Sequence, residues 1–81
     1  MPADRTILAN ERRAALAAIA AHRVALGLDL VDFDDFTDVR HSIEDVITSL
    51  RVYATSTEVD FEEALHFSGG SARELFAGRI C

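Results

Sequence analysis

Apolar residues recur at helical spacing in three stretches of this 81-residue chain, and each stretch is bounded by a recognisable start or stop signal. In the first, Leu8, Ala15, Ile19 and Leu26 fall on one face of a helix over residues 5–26. Its middle, AALAAIAA, is the composition that forms helix most readily. Gly27 follows, where a left-handed C-terminal cap is wanted. The second stretch carries the strongest periodicity: Val39, Ile43, Val46, Leu50 and Tyr53, widened by Ile47 and Ala54, predict a helix over residues 38–54 with this stripe in the core. TSTEV then breaks the pattern. Asp60 with Glu63 three residues on forms a capping box, opening a helix over residues 60–67 whose inward face is Phe61, Ala64 and Leu65. Gly69-Gly70 is expected to stop it. Ser71 with Glu74 is expected to open a short final helix over residues 71–79, with Leu75, Phe76 and Ile80 inward.

The expected architecture is therefore all-α: a single domain of three main helices plus a short C-terminal one. The long Ala-rich helix packs across the hairpin made by the second and third. Residues 27–38, GLDLVDFDDFTD, alternate apolar and acidic residues, which could signal a strand. No second strand exists to pair with it, so a loop is expected, with Leu28, Leu30, Phe33 and Phe36 tucked against the bundle. Its acids would lie in water or at the start of the next helix, where the helix dipole favours them.

Composition narrows the possibilities further. With 49% hydrophobic residues the chain is too apolar for disorder. No apolar run approaches the roughly 20 residues of a membrane span, and the opening MPADRTILANERR lacks the apolar core of a signal peptide. The expected location is a cytoplasm. A core this small is marginal, which favours a self-associating protomer, so a homodimer is expected. Cys81 is the single cysteine, so no disulfide can form within the chain.

Charge is polarised as well as negative. The net charge is −6, and every basic side chain is Arg. Residues 1–26 carry four Arg against Asp4 and Glu11, whereas residues 29–45 carry Asp29, Asp32, Asp34, Asp35, Asp38, Glu44 and Asp45 against Arg40 alone. Phosphate backbones repel such a chain, so direct nucleic-acid binding is disfavoured and a basic protein surface is the natural partner. The expected partner-binding residues are Asp29, Asp32, Phe33, Asp34, Asp35, Phe36, Asp38 and Asp45, together with Val52 and Phe67.

Sites of chemistry are sparse. Glu63 and His66 have the Glu-x-x-His spacing of di-iron bundles, but that centre needs a second such pair and two further Glu. His41 and Glu44 meet the same objection. The acids of residues 32–38 lack the glycine and closing Glu of an EF-hand. No Ser occupies a recognisable elbow, and no glycine-rich phosphate loop is present. No cofactor or metal is therefore expected. A DNA-binding helix-turn-helix is conceivable over DFEEALHFSGGSARELFAGR, with Arg73 and Arg79 on its second helix.

Asp45-Val-Ile, Leu50 and Asp60-Phe-Glu-Glu-Ala-Leu65 together resemble the later helices of the all-α NTP pyrophosphatases of the MazG-like type, and also small helical proteins of actinobacteria and their phages. The resemblance covers about a quarter of the chain. It implies an all-α fold and, for the pyrophosphatases, Mg²⁺-dependent hydrolysis of nucleoside triphosphates by a Glu-x-x-Glu pair and a Glu-x-x-Asp pair. Asp45 matches the last Asp, but Ser42 stands where its Glu belongs, and Glu11 has no carboxylate three residues away. The strip Ser42, Asp45, Ser49 and Val52 therefore does not read as a metal face, and Val52 suits it to contact with another chain. The expectation is a non-enzymatic interaction or regulatory protein, such as a phage or mobile-element inhibitor of a nucleic-acid-binding protein. A divergent pyrophosphatase or a DNA binder are the alternatives.

Overall fold

A computed structural model describes the backbone of residues 2–77 and the side chains of residues 5–76. The described residues form three helices and no strand: α1 (Pro2–Leu26), α2 (Phe36–Ser56) and α3 (Phe61–Ala77). Arg79, Ile80 and Cys81 lie outside the described residues.

The ends of these helices are set by local hydrogen bonding. Gly27 adopts φ +67°. Its N–H donates to the Val24 carbonyl at 3.1 Å, and that of Leu28 donates to the Arg23 carbonyl at 2.9 Å. This is the Schellman pattern, which satisfies carbonyls the helix cannot. Helix α2 starts two residues before the predicted boundary because Asp35 is its N-cap: one carboxylate oxygen accepts from the Thr37 N–H at 3.0 Å and the Asp38 N–H at 3.3 Å. It ends in a second Schellman pattern, with Val59 N–H to the Ala54 carbonyl at 2.8 Å and Glu58 at φ +62° where a glycine is usual. Asp60 caps α3 as its sequence predicts, accepting from the Glu63 N–H at 3.0 Å.

The predicted break at Gly69-Gly70 is absent. α3 runs through both glycines, and residues 71–77 belong to it. Ser71 is thus an interior residue, not an N-cap. Glycine weakens a helix but does not end it unless the chain must turn. Here Ala72, Leu75 and Phe76 continue the apolar face of Leu65, so nothing drives a turn.

The helices meet pairwise near their ends. The C-terminal half of α1 lies against the middle of α2, through His22–Ser49 and Arg23–Asp45. The end of α2 meets the start of α3, through Arg51–Glu62. Leu8 and Ala9 of α1 share a cleft with Phe76 of α3. The result is a flat body of 41 × 33 × 18 Å. Its buried residues, among those described, are Ile19, Ser42 and Ala54, and of these only Ser42 is fully buried.

That short list corrects the predicted core. The α2 stripe is open at Ile43, Leu50 (53% exposed) and Tyr53 (68%), whereas Ser42, beside the stripe, is 0% exposed. On α1, Ile19 is buried but Ala15 and Leu26 are exposed. The cause lies in which face of α2 meets α1. Ser42, Asp45 and Ser49 face α1 because their polar groups find partners there or on their own helix, and short side chains let the two helices approach.

Candidate functional site

Two features hold the chemistry of the described residues: a polar seam between α1 and α2, and the acidic loop that joins them.

In the seam, Arg23 projects from the last turn of α1. Its Nε donates to the Asp29 carbonyl at 2.7 Å and its Nη1 to Asp45 Oδ2 at 3.0 Å. The Arg23 side chain is 13% exposed and that of Asp45 45%. One guanidinium therefore fastens the start of the loop and the middle of α2 to the end of α1, a use of several donors that Lys cannot copy. One turn along α2, Ser49 Oγ lies 2.7 Å from His22 Nε2. His22 Nδ1 is buried and has no hydrogen-bond partner among the described residues. Ser42 donates its hydroxyl to the Asp38 carbonyl at 2.9 Å, one turn back on its own helix.

A Ser beside a His has the first ingredient of nucleophilic catalysis, a pairing the sequence did not announce because 27 residues separate the two. The rest of the machinery is missing at this place. Ser49 stands mid-helix, where backbone N–H groups are committed to the helix and cannot form an oxyanion hole. The carboxylate of Asp45, the acid on the same strip, is engaged by Arg23. The pair acts as a polar contact that holds two helices in register.

Within the loop, carboxylates shape the backbone. Asp38 Oδ2 accepts from the Asp32 N–H at 2.7 Å, and Asp32 Oδ1 accepts from the Asp34 N–H at 3.0 Å. The Asp35 N–H donates to the Asp32 carbonyl at 3.1 Å. Asp32, Asp35 and Asp38 thus fold the loop onto the start of α2. No described residue bonds to the carboxylates of Asp29 or Asp34. The apolar residues of this loop are not tucked in as predicted: Leu28, Leu30, Phe33 and Phe36 are all exposed, Phe36 to 87%. With Asp35 as the cap, Phe36 becomes the first helical residue on the solvent side.

The remaining predicted residues lie apart. Val52 and Phe67 are exposed on α2 and α3, and Phe67 packs edge-on to the His66 ring at 5.5 Å. Asp45 belongs to the seam and is shared between Arg23 and solvent. Among the described residues no three of His, Cys, Asp and Glu converge. The helix-turn-helix conceivable over residues 60–79 would need a turn at Gly69-Gly70, and there α3 is continuous from Phe61 to Ala77.

The sequence does not single out His22 and Arg23, and the strip of Ser42, Asp45 and Ser49, expected to suit another chain, meets α1 of the same chain instead. The signal was present in the α2 strip itself: small or polar residues at 42, 45 and 49 repeat at helical spacing and mark a second contact face, which here meets the same chain. No family model matches the chain, and neither a curated protein nor a solved structure is similar to it. No described helix is long and apolar enough to cross a membrane.

Proposed function

We propose that this chain is a small acidic interaction protein without catalytic activity, which docks its loop of residues 29–38 onto a basic protein surface and works as a homodimer. A phage or mobile-element inhibitor of a nucleic-acid-binding protein is the specific form that fits an acidic surface of this kind. The observation that carries the reading is the exposure of Phe36 and Leu30 beside Asp29, Asp34 and the other loop acids. Aromatic side chains held in water cost free energy until a partner covers them, and a ring of carboxylates steers a cationic surface towards them. The hydrogen bonds within the loop keep these groups in place before binding, which lowers the ordering cost. Val52 and Phe67 are further exposed apolar residues available to a partner. Against nucleotide hydrolysis stands the pairing of Asp45 with Arg23, since a carboxylate neutralised by a guanidinium is a poor magnesium ligand.

The test is capture of basic proteins from the host by the wild-type chain and by Asp32→Asn/Asp34→Asn/Asp35→Asn and Phe36→Ser. Asn keeps the side-chain oxygen that accepts from backbone N–H groups, so the triple variant removes charge while leaving the caps. Binding at low salt should weaken at least about tenfold in each variant, with unchanged helical circular dichroism. Equal capture by all three chains would refute the reading.

A further inference from the structure

The most amphipathic helix of the molecule points much of its apolar stripe at solvent. Between α2 and α3 lies an open groove of about 360 Å³, lined by Ile47, Leu50, Phe61, Ala64, Leu65 and Ser68. Ile43 and Tyr53 extend the exposed apolar surface along α2. The stripe is core-like in composition, since aliphatic residues at i, i+4 and i+7 are what a helix buries against another layer.

We infer that this groove is covered by the same groove of a second copy, related by a two-fold axis, so that two α2/α3 hairpins form a four-helix layer. This deepens the self-association in the proposed function and does not depend on the basic partner.

Three observations select a second copy as the occupant. The first is area. The chain exposes 6461 Å² at a mass of 8.9 kDa, whereas a folded monomer of that mass exposes about 4,800 Å². The surplus is about 1,600 Å² over the whole surface of each chain, the loop included, so about 3,300 Å² is the ceiling for what a dimer could bury on both sides, and it reaches the range of obligate homodimers. The second is shape. The radius of gyration is 14.6 Å, against about 11.7 Å for a compact chain of this length. The body is one layer short of a closed core. The third is charge. At the middle of the rim Arg51 pairs with Glu62 and lies over the Phe61 ring at 4.5 Å, so that stretch of the rim is neutral by itself. An uncharged apolar floor beside a self-neutralised ion pair offers little to select a charged partner, and at that pair it meets its own image without like-charge conflict.

Sedimentation equilibrium of the full chain over the micromolar range tests this, in a Cys81→Ser background so that no disulfide contributes. The wild-type sequence should sediment at twice 8.9 kDa. Leu50→Glu and Leu65→Glu should each weaken self-association by about 100-fold or more, because each would bury an unpaired carboxylate. Val24→Glu, exposed on α1 away from the groove, should leave the mass doubled. If Leu50→Glu or Leu65→Glu unfolds the chain, Ser68→Cys decides, because Ser68 lines the groove. A maleimide should alkylate it more slowly as the protein concentration rises through the self-association range, and should alkylate Val24→Cys at an unchanged rate. A wild-type chain that sediments as a monomer overturns the groove and the self-association together. A dimer that survives both Glu substitutions, a dimer lost in Val24→Glu, or Ser68→Cys alkylated equally fast at low and high protein concentration overturns the groove alone. Capture of basic proteins, which scores the loop reading, is a separate measurement and can succeed or fail on its own.

Discussion

The two contacts of α2 are built from opposite materials. Against α1 it presents Ser42, Asp45 and Ser49, and the contact is closed: Ser42 is fully buried and Arg23 nearly so. Against α3 it presents Ile47 and Leu50, and the contact is open. The seam with the weaker hydrophobic content is thus the better packed. Polar groups with fixed geometry can seat two helices closely where they pair, as Arg23 with Asp45 and His22 Nε2 with Ser49 do here, even though His22 Nδ1 finds no partner among the described residues. Aliphatic side chains have no such directional requirement, and they stay half covered until a further layer arrives. The seam defines how α1 sits on α2, while the groove carries free energy not yet collected.

Arg23→Ala tests the closed side and should have the largest effect on stability. It deletes the hydrogen bonds to the Asp29 carbonyl and to Asp45 in one step. Hydrogen bonds to charged groups contribute about 1.5–3 kcal/mol, and the half-exposed Asp45 can regain water, so a loss of about 2 kcal/mol is expected. Asp45→Asn should cost less than about 1 kcal/mol, because it leaves the bond to Asp29 intact. Urea denaturation of the two single variants and the double variant resolves this. If Arg23→Ala costs no more than Asp45→Asn, the loop anchor contributes nothing and the seam is an ordinary surface ion pair.

The open side contains an internal weakness that can be repaired. α3 carries Gly69 and Gly70 in its interior, each costing about 1 kcal/mol relative to Ala in a helix. A methyl group at Gly70 would meet nothing within 4 Å, and one at Gly69 would meet only Arg73 Nη1 at 3.7 Å, the end of a flexible side chain. Gly69→Ala/Gly70→Ala should therefore stabilise the chain by about 1–2 kcal/mol, read as a rise in the denaturation midpoint. A loss of stability would mean that residues 69–70 leave the helix in solution.

These two regions also show what could be read in advance. The helices were legible because their apolar spacing and caps act locally: Gly27 and Asp60 do what their neighbours predict. The glycine pair was misjudged because a stop signal is only permissive. Whether the chain turns there depends on the apolar face beyond it, and Leu75 and Phe76 carry that face onward. The core was misjudged because periodicity identifies an apolar stripe but not what covers it. The stripe of α2 was identified correctly, yet in this chain much of it lies open. The seam escaped notice because pairing His22 with Ser49 and Arg23 with Asp45 depends on how two helices dock, which no local window contains. The loop was half legible: its acids were seen as a charged surface, whereas Asp32, Asp35 and Asp38 also hold the backbone.

The turn between α2 and α3 offers the smallest effect and the finest comparison, because its twin follows α1. Both helices end in a Schellman pattern with one left-handed residue. After α1 that residue is Gly27, and after α2 it is Glu58. A side chain in the left-handed region clashes with its own backbone by an amount near 1 kcal/mol, which glycine avoids. Glycine gives part of this back through the greater freedom of its unfolded chain. Glu58→Gly should thus stabilise by about 0.5 kcal/mol, and Gly27→Ala, which imposes the same clash on the other turn and removes the same freedom from the unfolded chain, should destabilise by about 0.5 kcal/mol. Opposite signs at equivalent positions would show that the two turns share one conformation in solution. Equal signs would mean that the turn at Glu58 is held by something other than its backbone geometry, and the hairpin that frames the groove would need to be redrawn.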